Sequence, residues 1–108
     1  MTVSGVEEEI ANEIVIVTTT SYDPDTEAGK LRADLTKRTI QAAREREYPV
    51  VVVDFGSSDE FLRELERFGA DVHTQQTSGM GSSRREAIAY GQLTQKPVIA
   101  WMEPEKVG

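Results

Sequence analysis

The clearest hydrophobic pattern in the chain is a run of four valines, Val50–Val53, that ends abruptly at Asp54 and a Gly-Ser turn. A continuous β-branched run predicts a strand that is buried on both faces, as in parallel sheets covered by helices. The apolar run Ile14–Val17 has the same character and leads into a stretch of hydroxyl residues. The segment Pro97–Met102 predicts a closing strand. Each strand therefore ends where polar residues begin.

Helical periodicity fills the segments between these strands. Glu27 to Glu47 carries apolar side chains at helical spacing, and Tyr48-Pro49 is expected to end that helix. Ser57-x-x-Glu60 and Ser83-x-x-Glu86 have the form of capping boxes that open two further helices. Asp71–Gln75 predicts a shorter, partly exposed strand. Alternation of strands and helices predicts an α/β fold with three layers, in which a mostly parallel sheet carries helices on both faces.

Length and composition narrow the class of protein. A chain of 108 residues predicts a single domain, and we expect residues 1–12 to be a flexible tail. The net charge of −7 argues against nucleic acid or an anionic membrane as partner. The apolar runs are too short to span a bilayer, and the acidic N-terminus is unlike a signal peptide, so a cytoplasmic location is the default expectation. Without cysteine the chain has neither disulfides nor thiolate metal ligands.

Polar clusters are expected to gather at one rim of the sheet, because the carboxyl ends of parallel strands face the same way. These clusters are Thr18–Tyr22, Asp54–Ser57, Gln75–Arg84 and Glu103–Glu105. Together they suit a nucleotide, with the base against a ring and a carboxylate and the phosphates against helix amides and arginine. Glu103 and Glu105 supply oxygen ligands suited to Mg²⁺ or Mn²⁺.

Simpler structural roles remain open for several of these residues. Asp54 could be a turn former, Ser57 a helix cap, and the Glu-Pro-Glu segment a charged turn after the last strand. Arg84 lies in the first turn of a predicted helix, where the helix dipole disfavours a cation. Arg85 follows it in the same turn. A bound anion would offset that cost, which favours a binding role for at least one of the two arginines.

The order of these motifs resembles the N-terminal half of a GT-A glycosyltransferase, and is most similar to family 2. The motifs are Thr-x-x-x-Tyr after the first strand, Val-Asp-x-Gly-Ser-x-Asp after the second, Gly-x-Gly-x-x-Arg at the third helix and spaced acids after the last strand. The resemblance implies binding of an NDP-sugar with a divalent cation, Mn²⁺ or Mg²⁺. It implies nucleotide contacts from Thr18, Tyr22, Asp54, Gly56, Ser57, Gly81 and Arg84, and metal ligation by Glu103 and Glu105.

The sequence departs from the family pattern at three places. Phe55 replaces a second acid after the second strand, Arg85 stands where an asparagine is expected, and Glu-Pro-Glu replaces Asp-x-Asp. The resemblance runs from Ile14 to Lys106, whereas the family continues into an acceptor site and a catalytic base. We therefore expect these 108 residues alone to be inactive or nearly so, and to self-associate through an exposed apolar strand. The alternative is a noncatalytic nucleotide-binding or regulatory α/β module that has lost transferase activity.

Overall fold

The alternation of strands and helices predicted from the sequence is confirmed. The computed structural model describes residues 13–23, 25–76 and 80–102, with residues 80–83 described by their backbone alone. The strands are β1 (Ile14–Thr20), β2 (Val50–Asp54), β3 (Asp71–Thr74) and β4 (Val98–Trp101). The helices between them are α1 (Glu27–Glu45), α2 (Asp59–Arg67) and α3 (Met80–Leu93).

The four strands form one parallel sheet in the order β3-β2-β1-β4. The chain first steps from β1 to β2 to β3 and then returns past both to place β4 on the other side of β1. Helices α1 and α2 pack on one face of the sheet, and α3 packs on the other. This gives the predicted three-layer α/β architecture.

The core has two halves, because successive side chains of a strand point to opposite faces. Val50 and Val52 pack with the α1–α2 cluster, whereas Val51 and Val53 pack with the α3 cluster. All five residues of β2 are buried. Burial of a valine, leucine or phenylalanine side chain contributes about 1.5–3 kcal/mol each, so this central strand anchors both layers.

Helix boundaries differ from the sequence prediction at three places. The cap of α2 is Ser58, whose hydroxyl accepts a hydrogen bond from the amide of Phe61 at 3.2 Å, so the predicted cap at Ser57 was wrong by one residue. Helix α3 begins at Met80, which puts Ser83 inside it rather than at its cap. Arg84 and Arg85 therefore lie in the second turn of α3, not in the first turn as the sequence predicted. Helix α1 ends at Glu45, because Glu47 adopts a left-handed conformation with φ of 64°.

Among the described residues, none of the helices combines the length and the apolar composition that crossing a bilayer requires.

Candidate functional site

Asp54 lies at the carboxyl end of β2, buried and fully engaged in hydrogen bonds. Its Oδ1 accepts from the hydroxyl of Thr20 at 2.6 Å, and its Oδ2 accepts from the backbone amide of Ser57 at 3.1 Å. The side chain of Asp54 is 2% exposed. It therefore joins the end of β1 to the turn after β2, which is the structural role that the sequence left open.

Tyr22 is drawn into the same junction but points away from solvent. Its backbone amide donates to the hydroxyl of Ser57 at 3.0 Å, and its own hydroxyl pairs with that of Thr36 at 2.8 Å. The ring meets Phe61 edge-on, with 5.6 Å between centroids. What remains accessible of Tyr22 lines a cleft of about 220 Å³ between α1 and α2. A base that contacts Tyr22 would have to enter from the α1–α2 side.

Thr18 connects β1 to the end of β4. Its hydroxyl donates to the backbone carbonyl of Met102 at 2.7 Å, and the amide of Met102 donates to the carbonyl of Val17 at 2.9 Å. Thr18 is 1% exposed. This pair of bonds extends the β1–β4 pairing by one residue and fixes where the chain leaves β4.

Arg84 and Trp101 meet on the opposite side of the sheet from Tyr22. The guanidinium carbon of Arg84 lies 4.8 Å from the centre of the Trp101 ring. Trp101 packs against the α3-side core, and Arg84 is exposed. The stack therefore holds a solvent-accessible cation beside the carboxyl end of β4.

The strand order gives this position its significance. Ligands of open parallel α/β sheets bind outside the carboxyl ends of the strands, at the point where the strand order reverses. Here the order reverses between β1 and β4. We call this point, bounded by Thr18, Trp101 and Met102, the switch position. Arg84 is a predicted nucleotide-site residue, and its contact with Trp101 places its charge beside the switch position.

The remaining predicted site residues are placed as follows. Gly56 is exposed in the turn after β2 with φ of 86°, and the backbone of Gly81 lies in the first turn of α3. Glu103 and Glu105 lie outside the described residues. Within residues 13–23, 25–76 and 80–102 there is no cluster of three or more side chains suited to a metal. Asp54, the carboxylate at the end of β2, accepts a protein hydrogen bond at each oxygen and is 2% exposed, so it is not presented at the surface.

His73, the sole histidine of the sequence, lies on β3. Its ring stacks on Tyr90 of α3 with 3.7 Å between centroids, and its Nε2 lies 2.9 Å from a carboxylate oxygen of Asp71. These contacts tie β3 to α3 and agree with a packing role.

The sheet and its rim define the class of the protein as a parallel α/β domain with a Rossmann-like layer order. Comparison of the chain with protein-family models, with curated proteins and with solved structures gives no match. The structure separates the predicted site residues between the two faces of the sheet. Tyr22, Asp54 and Ser57 lie together on one face, and Arg84 lies on the other.

Trp101 and Met102 were not among the site residues predicted from the sequence. The signal for both was their position at the end of a predicted strand. Reading it required the strand order, which the sequence did not determine.

Proposed function

We propose that the chain binds a nucleotide, as the NDP-sugar-binding portion of a glycosyltransferase-like protein. The observation that carries this proposal is the reversal of strand order between β1 and β4, with the exposed guanidinium of Arg84 beside it. An arginine there matches the two acidic groups of a diphosphate in both charge and hydrogen-bonding geometry.

The charge distribution supports an anionic ligand at this position. The chain carries a net charge of −7, which repels anions over most of its surface. Arg84 and Arg85 are adjacent and exposed in the first half of α3. Two neighbouring cations offer phosphate a local exception to that repulsion.

A divalent cation belongs to the same proposal, with Glu103 and Glu105 as the residues that would hold it. In the sequence they stand two and four positions after Trp101, the last residue of β4, which borders the switch position. When bound, such a cation would offset the charge of the diphosphate. In the proposal the residues of this chain bind and orient the NDP-sugar, and no residue is assigned to the transfer reaction.

Calorimetric titration with UDP, GDP and CDP, with and without Mn²⁺, tests the proposal. We expect one nucleotide to bind, and to bind more tightly when Mn²⁺ is present. Glu105→Ala should remove the Mn²⁺ dependence, whereas Glu66→Ala, the same charge change at an exposed position of α2, should leave it unchanged. Absence of binding by a sample whose circular dichroism shows it to be folded would overturn the proposal.

One observation favours the noncatalytic alternative. The carboxylate of Asp54 is buried and hydrogen-bonded within the protein, and Phe55, which stands where the family has a second acid, is 56% exposed. A nucleotide-binding module without transfer chemistry would bind equally well with and without metal. The Mn²⁺ dependence therefore separates the two functions in the same titration.

A further inference from the structure

We propose that Trp101 is a positioning residue for an oxyanion site, because its ring holds the guanidinium of Arg84 in place to bind the diphosphate of the ligand. The inference deepens the proposed function and rests on it for the nucleotide. The anion site itself can be tested with inorganic pyrophosphate alone.

The stack is built on a fixed support. Trp101 ends β4, whose pairing with β1 runs to Val17↔Trp101. Its ring packs against the core cluster that includes Val17 and Ala87, so its orientation is set by the sheet and by α3. The Arg84 guanidinium then lies 4.8 Å from the ring centre, within the range of a cation–π contact.

A cation–π contact does not itself use the N–H donors of a guanidinium. A guanidinium contacts an aromatic ring through its flat face, whereas its N–H donors point outward in the plane. Two parallel N–H donors match the oxygens of a phosphate in a bidentate pair. A cation that is already ordered loses less conformational entropy when the anion arrives, so the ring increases affinity without contacting the ligand.

The neighbouring arginine supplies a matched control. Arg85 is exposed, as Arg84 is, and its loss changes the net charge by the same amount. If general charge attraction were the whole effect, substitution of either arginine would weaken anion binding equally. If the stack matters, Arg84 and Trp101 carry the effect and Arg85 does not.

The experiment measures the affinity of inorganic pyrophosphate, and separately of UDP, by calorimetry for five forms of the full chain. We expect Arg84→Gln to weaken pyrophosphate binding about tenfold or more. Arg85→Gln should change the affinity for pyrophosphate by less than about threefold, as expected for a nearby charge that does not bond to the anion directly. Trp101→Leu should weaken it about three- to tenfold through lost preorganisation, with Trp101→Phe between Leu and the wild type.

Fluorescence gives a readout that a purely structural role would not move. Trp101 is the sole tryptophan of the sequence, so emission reports on its ring alone. Pyrophosphate should shift or quench that emission in the wild type and in Arg85→Gln, and not in Arg84→Gln. Circular dichroism of each variant establishes that it is folded, and Trp101→Phe decides the matter if Trp101→Leu does not fold.

Several results would overturn the inference: no pyrophosphate binding by the wild type, equal losses in Arg84→Gln and Arg85→Gln, or unchanged affinity in the Trp101 variants. The proposed function fails separately. Pyrophosphate binding that follows the pattern above, with UDP no tighter than pyrophosphate, leaves the anion site standing and rejects the nucleotide. UDP binding that is unchanged by substitution of Arg84 or Trp101 rejects the anion site and leaves the proposed nucleotide binding standing.

Discussion

The hydroxyl of Thr20 donates a 2.6 Å hydrogen bond to the Oδ1 oxygen of Asp54, which is its direct partner in the β1–β2 register. Both residues are buried, at 4% and 2% exposure. The bond closes the carboxyl end of the two central strands. It also turns the carboxylate that the sequence presents as a ligand-binding group toward the protein itself.

Thr20→Val should therefore destabilise the fold. The substitution keeps the shape but leaves a buried carboxylate oxygen without its donor, which costs about 1–3 kcal/mol. Thr19→Val is the control, because Thr19 points to the other face of the sheet and is only partly buried. Chemical denaturation measures the free energy of unfolding of both variants. A loss in Thr20→Val no larger than that in Thr19→Val would show that the bond adds no stability.

The same bond allows direct and indirect roles of Asp54 in nucleotide binding to be distinguished. If Asp54 acts by holding the β1–β2 junction, Asp54→Ala and Thr20→Val should weaken nucleotide binding by similar factors in folded samples. If its carboxylate contacts base or ribose, Asp54→Ala should weaken binding at least about tenfold more than Thr20→Val, the loss expected for a bond to a charged group. From the geometry we expect similar factors, which titration of both variants with the same nucleotide will check.

The sequence predicted the layers well because burial and periodicity are local properties. The valine run of β2 and the spacing in α1 each depend on neighbours within one element. Caps were less predictable: Ser57 and Ser58 are adjacent, and which of them caps α2 depends on the bond from Tyr22 to Ser57. That bond crosses 35 positions of sequence, so no local pattern reveals it.

The site was predicted only as a set of strand ends. Which ends adjoin depends on the strand order, and the order places β4 beside β1. Likewise, α1 and α2 pack on one face of the sheet and α3 on the other, which separates Tyr22 in the α1–α2 core from Arg84 of α3. These are long-range packing outcomes, which explains why one predicted cluster became two.

The end of α1 offers a stabilising substitution. The amides of Tyr48 and Glu47 donate back to the carbonyls of Ala43 and Arg44, as in a Schellman motif, and Glu47 takes the left-handed position with φ of 64°. Gly69 fills the equivalent position after α2. Glu47→Gly should raise the unfolding free energy by about 0.5–1 kcal/mol, because glycine avoids the strain that a side chain meets there.

Glu45→Gly is the matched control for that substitution. Glu45 is the last residue of α1, and glycine within a helix costs about 1 kcal/mol at most. The two variants should therefore shift the thermal midpoint in opposite directions. A lower midpoint for Glu47→Gly would mean that the flexibility of glycine in the unfolded chain outweighs the relief of strain.

Lys37 and Glu64 should couple α1 to α2. Their charged atoms lie 2.6 Å apart, with side chains 27% and 29% exposed, beside the cleft that Tyr22 lines. A double-mutant cycle of Lys37→Met and Glu64→Gln should give a coupling energy of about 1 kcal/mol, because partial burial reduces the screening of the two charges by solvent. The Arg38–Asp34 pair, 3.0 Å apart but 74% and 50% exposed, should give less than about 0.5 kcal/mol. Equal coupling energies would contradict the role of burial.

Val98 provides a test of self-association. In the described part of the chain β4 pairs on one side with β1, and Val98 is 47% exposed. A strand with an unpaired side and an apolar residue can pair with a second copy of the chain, and a lysine there opposes such pairing. We expect the sedimentation coefficient of the wild type to rise with concentration and that of Val98→Lys to stay constant. Leu93→Lys adds the same charge at an apolar residue of α3 that is 76% exposed, and should behave as the wild type. A wild type that stays monomeric throughout, or an equal effect of both lysines, would exclude pairing through β4, because only the first substitution lies on that strand.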